Sequence, residues 1–153
     1  MTRAPANSEA GGTLQAGVLL GIGLMAAIDE IVFHQLLAWH HFVDTRSGAF
    51  ALLSDGLLHS GELLFLIAGA FRGAKLLQRG ALHYRRFGAA LLIGAGSFQI
   101  FDGVVDHKLL GLHQVRYVDP VWPYDVAWIG AGVIILGAGV LLWRRCGPGA
   151  RSA

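Results

Sequence analysis

Four apolar blocks, each about as long as a bilayer is thick, restrict this chain more than anything else in it. They run over residues 14–39, 55–71, 87–112 and 124–143. A helix rises ~1.5 Å per residue, so roughly 20 residues cross a hydrocarbon core ~30 Å deep. Lipid offers backbone N–H and C=O groups no water, and a helix satisfies them within itself. The expected fold is all-α, an integral membrane four-helix bundle. A hydrophobic fraction of 54% with only 14% charged residues is far from the soluble globular average, and the 22 glycines suit closely packed membrane helices. Residues 1–13 read as a short disordered tail, 14–143 as one transmembrane domain and 144–153 as a second tail. The first block ends in Asp29-Glu30 and not in a small-residue cleavage site, so no cleavable signal is expected.

The loops predict an orientation. Arg72, Lys75, Arg79, Arg85 and Arg86 crowd the connection between the second and third blocks. Arg144, Arg145 and Arg151 follow the fourth block, and Arg3 precedes the first. The two other loops carry Arg46 and Arg116, with Lys108 near the end of the third block. Positive charge stays inside, so both termini are expected in the cytoplasm of a multi-pass protein of the inner (plasma) membrane. Basic residues confined to loops report topology, and nucleic-acid binding is not expected.

Within this frame two stretches repeat each other. IDEIVFHQLLAWHH, residues 28–41, overlies FDGVVDHKLLGLHQ, residues 101–114. Asp29 meets Asp102, His34 meets His107 and His40 meets His113; upstream, Gly21 and Gly23 meet Gly94 and Gly96. Leucine and glycine matches come cheaply in such a chain, but three acid and histidine matches in register do not. The pattern predicts two helical hairpins in parallel repeat, related by a pseudo-two-fold axis along the membrane normal. The second and fourth blocks resemble each other only in Asp55 and Asp125, both of which read as helix N-caps.

The repeated acids and histidines carry the chemistry. His34 lies about 7 Å beneath Trp39, and His59 about 6 Å below Asp55, counted along a helix. His107 matches His34, so three spans each deliver one imidazole to a layer under the outer face. Carboxylates share their faces at spacings of three, four or seven: Glu30 with His34, Asp55 and Glu62 with His59, and Asp102 and Asp106 beside His107. A charge at mid-bilayer costs at least about 2.5–3.5 kcal/mol, so such groups face the bundle interior and mark function. The expected centre is a zinc or copper ion held by His34, His59 and His107. Asp29, Glu30, Asp55, Glu62, Asp102, Asp106, His40, His113 and Asp125 would orient those rings or add ligands. His40, His41 and His113 themselves fall at the boundary, where wet interfacial residues are expected. Interhelical hydrogen-bonded pairs without a metal are the plain alternative. Cys146 is the one cysteine, which excludes an intrachain disulfide.

GIGLMAAIDEIVFHQLLAWHH, SDGLLHSGE, FDGVVDHKLLGLHQ and YDVAW, taken together over residues 14–143, resemble the bacterial membrane-protein family catalogued as domain of unknown function 2243. The resemblance implies four membrane helices and no activity. Asp29, His34, His40, Asp55, His59, Asp102, Asp106, His107, His113 and Asp125 fit its pattern, whereas Glu30 stands where the family has glycine. Three other functions remain open: a b-type haem held by His34 and His107, proton or ion movement through the intramembrane acids, and a structural or assembly role. The bilayer is the expected partner, and a homo-oligomer or a respiratory-type membrane partner stays open.

Overall fold

The computed structural model describes residues 6–146, and every regular element among them is helical. Helix α1 covers Ala6–Asp29 and runs on into a wider π-helical segment, π1, over Glu30–Leu36. Helix α2 is Gly48–Gln78. Helix α3 is Tyr84–Phe101 and continues as π2 over Asp102–Leu109. Helix α4 is Trp122–Arg145. Four stretches are long and apolar enough to cross a membrane: Glu9–Leu36, Gly48–Gln78, Tyr84–Leu109 and Trp122–Arg145.

The ends of these helices depart from the expected ones. α1 begins at Ala6, so residues 6–13 are helix and not a disordered tail, and residues 1–5 lie outside the described residues. Arg144 and Arg145 finish α4, Cys146 follows, and the rest of the expected tail, 147–153, is likewise outside them. α2 starts at Gly48, after Ser47 in extended backbone, so Asp55 lies two turns inside the helix and is not its cap. At 31 residues α2 measures roughly 46 Å, more than the hydrocarbon depth, and its basic residues Arg72 and Lys75 lie toward its C-terminal end. α4 starts at Trp122 with Pro123 in the first turn, where a missing N–H costs nothing; Asp125 follows within that turn and caps nothing.

α1 and α3 form the central pair, with α2 packed on α1 and α4 packed on α3. Small residues line these contacts and large ones face outward. Ala16, Ala89, Ala90 and Ala95 are buried, while Leu64, Phe71 and Ile134 are largely exposed. That is the order lipid demands, because apolar side chains gain nothing by leaving it, whereas small residues let backbones approach. A Cβ at Gly21 would meet the Leu91 carbonyl, and one at Gly94 the Val18 carbonyl. The flanks repeat the arrangement, with Gly69 against the Leu20 backbone and Gly139 against Ile93. α2 and α4 therefore correspond in packing, although their sequences share little.

Charge divides the molecule along its length. At one end Arg86 donates from Nε to the Cys146 carbonyl (2.8 Å) and lies over the Trp143 ring, and Arg72 reaches Gln15. At the other end, beyond Asp29 and Asp102, the buried side chains are mostly acids and histidines.

Candidate metal centre

The site is made by the way α1 and α3 stop. A π-turn holds one more residue than an α-turn and recurs at functional sites. π1 closes with Leu37 N–H donating to the Val32 carbonyl and Trp39 N–H to the Phe33 carbonyl, with Ala38 between them at φ 48°. π2 closes alike: Leu110 N–H donates to Val105, Leu112 N–H to Asp106, and Gly111 sits at φ 60°. These reversals fold His40 and His113 back toward the bundle. Each ring is then held by the opposite half: His40 Nδ1 donates to the Val115 carbonyl and His113 Nδ1 to the Phe42 carbonyl, both at 2.9 Å. Asp44 N–H donates to the Leu112 carbonyl and ties the two loops together.

Four imidazoles meet there. His40 and His113 stack with centroids 4.5 Å apart and planes 15° apart. His34 stands edge-on to His40 at 4.5 Å, and His107 edge-on to His113 at 4.4 Å. None is more than 4% exposed. A carbonyl oxygen only accepts, so in His40 and His113 the ring proton is on Nδ1 and Nε2 carries the lone pair. His34 Nδ1 lies 3.3 Å from Asp55 Oδ1 and is anchored in the same sense. The Nε2 atoms of His34, His40 and His113 are buried and have no hydrogen-bond partner. These three residues each offer a ring nitrogen within 4.8 Å of the others. Burial, reinforced by the neighbouring imidazoles, pushes His40 down to about 4 and His113 down to about 3, so both are neutral at ordinary pH.

The acids frame the rings. Asp102 Oδ2 accepts from Trp128 Nε1 at 2.9 Å and lies 3.1 Å from His107 Nε2, and its Oδ1 lies 3.6 Å from His113 Nε2. Asp102, His107 and His113 thus form a second converging group that shares His113 with the first. Asp29 Oδ2 is 3.6 Å from His34 Nε2. Glu30 is buried against His34 and joins the cluster. Asp106 is buried nearby. Asp55 also accepts from Phe42 N–H at 2.7 Å and faces His41 Nδ1 at 2.6 Å.

Of the three expected imidazoles, His34 and His107 reach the cluster. His59 stands apart, with its side chain half exposed and its Nδ1 2.5 Å from Glu62 Oε1. Four residues beyond Asp55 is about 40° further round the helix, enough to turn the ring away while Asp55 and Glu62 stay buried. His40 and His113, expected to be wet, are among the most buried side chains, because the chain reverses where a straight helix was expected. α4 brings no histidine but contributes Trp128, whose carbonyl also accepts from Gln99 Nε2 at 3.0 Å. Asp125 pairs with Lys108 at 2.7 Å. The signal for the reversal in the second half was Gly111, a glycine where a helix ends; Ala38 carries no such mark.

Comparison with known proteins bears on identity without adding chemistry. No curated protein and no solved structure matches the chain. The family described as a predicted membrane protein (DUF2243) matches residues 16–146, a stretch that contains most of the first span, the other three entire and the whole histidine cluster, and the chain is a member of that family.

Proposed function

We propose that the protein binds a transition-metal ion, zinc or copper, through Nε2 of His34, His40 and His113, with Asp102 and His107 close enough to complete or adjust the coordination. One observation carries this reading: three buried Nε2 atoms without partners, on rings whose Nδ1 atoms are each tied to an acceptor. A buried polar atom left unpaired is costly, and a metal ligand is the ordinary reason to leave an imidazole lone pair free. Imidazole suits zinc and copper, and three protein nitrogens leave a position open. A bound zinc ion would supply Lewis acidity, whereas copper would be the cargo that the site holds. The chain's own part is to fix the three rings, hold His40 and His113 neutral and exclude water.

A haem fits less well. His34 and His107 have His40 and His113 packed between them at 4.4–6.1 Å, not a slot for a macrocycle. An apolar cavity of about 570 Å³, lined by Ile22, Phe42, Phe65, Phe98 and Phe101 among others, has no histidine in its wall. We further infer an internal duplication, supported by the reciprocal histidine–carbonyl bonds and the matched glycine contacts. The basic end faces the cytoplasm of the inner membrane, and the metal centre lies toward the outer face.

Elemental analysis of the detergent-purified chain for zinc, copper and iron, with titration of the stripped protein, tests the reading. We expect one zinc or copper per chain, with affinity on titration falling at least tenfold in His40→Ala and His113→Ala. A chain that carries none and takes up none on titration overturns it.

A further inference from the structure

The two halves match in their central histidines and differ in their charges. Glu30 has Gly103 as its counterpart, His41 has Gln114 and Gln35 has Lys108. In the second half Lys108 neutralises Asp125. In the first half, among the described residues, no lysine or arginine pairs with Asp29, Glu30 or Asp55. Glu30, His34 and Asp55 each bring a ligand atom within 4.8 Å of the others. Glu30 Oε2 is 2.8 Å from His34 Nδ1 but outside hydrogen-bonding geometry, and it is buried with no partner. A buried acceptor that faces two further ligands and lacks a cation is an incomplete arrangement. Beside it, His41 is 36% exposed and in contact with Asp55, so this acidic group is the part of the cluster that opens toward water.

We propose that Glu30, His34 and Asp55 form a second, outer site for a divalent cation, which receives the ion at the His41 side and passes it to the three-imidazole centre. This rests on the reading of that centre given above. His34 is the pivot. Its Nδ1 faces the outer acids and its Nε2 is one of the unpartnered nitrogens of the centre. A neutral imidazole carries one proton, so an ion on Nδ1 leaves that proton on Nε2. The ring therefore serves one ion at a time.

Cobalt(II) added to the stripped, detergent-purified full chain is the probe, read by its visible bands and by equilibrium dialysis. Wild type should bind one ion in a nitrogen-rich environment. The double variant His40→Ala/His113→Ala should still bind one, at least tenfold more weakly and with the faint bands of an oxygen-rich site, and adding Glu30→Gln should abolish it. His41→Gln, a readout independent of whether the double variant folds, should keep the wild-type stoichiometry and spectrum and slow loading at least fivefold. A double variant that folds by circular dichroism and binds nothing overturns the outer site, as does indifference to Glu30→Gln or an unchanged loading rate in His41→Gln. A wild type without cobalt, or a double variant with wild-type affinity and spectrum, instead overturns the central reading.

Discussion

His40 and His113 depend less on their own helices than on carbonyl oxygens from the opposite half, so a substitution that respects those carbonyls can probe the surrounding acids separately. Trp128 suits this purpose. Its indole N–H is the donor to Asp102 Oδ2, and Trp128→Phe keeps most of the bulk while leaving that buried oxygen short of a partner. The expected loss is about 1–3 kcal/mol, read as a lowered midpoint of thermal unfolding in detergent. The repeated Asp–His pattern was legible because polar residues inside an apolar block stand out, and His34, Asp102 and His107 lie where it suggested. His59 and Glu62 were legible only as a stripe. The 40° between His59 and Asp55 decides which of them is buried, and spacing alone does not resolve it. Trp128 and Gln99 went unread, since an aromatic near a membrane boundary looks like an interfacial anchor.

At the scale of elements, the reversals after π1 and π2 are where sequence and structure part. Four helices were legible from length and apolarity, but their ends were not. Ser54-Asp55 resembles a helix start, yet Ser54 donates to the Ala51 carbonyl from within α2 and Asp55 faces His41. Gly111 could have marked the stop of the third block; Ala38 could not, since its left-handed backbone is imposed by the surrounding loop. A strained alanine and a relaxed glycine at matched positions give opposite predictions. Ala38→Gly should stabilise the protein by about 0.5–1 kcal/mol and Gly111→Ala should destabilise it by about 1–2 kcal/mol, both measured by thermal unfolding in detergent.

At the scale of the whole molecule, orientation is the property that charge decides. A cysteine at Arg46→Cys, on the histidine side, should react with a membrane-impermeant maleimide in intact cells. One at Lys75→Cys should react only after the membrane is opened. The reverse pattern would put the histidine cluster on the cytoplasmic side.

The crossed bonds of His40 and His113 have a further consequence. Neither hairpin holds its own ring, so a hairpin alone leaves that histidine unmoored. Severed between Gln78 and Tyr84 and produced as two polypeptides, the chain should copurify as a clasped pair, with metal in the pair and in neither piece alone. The centre would then be a fastener as much as a site, an assembly of two halves that share one ion.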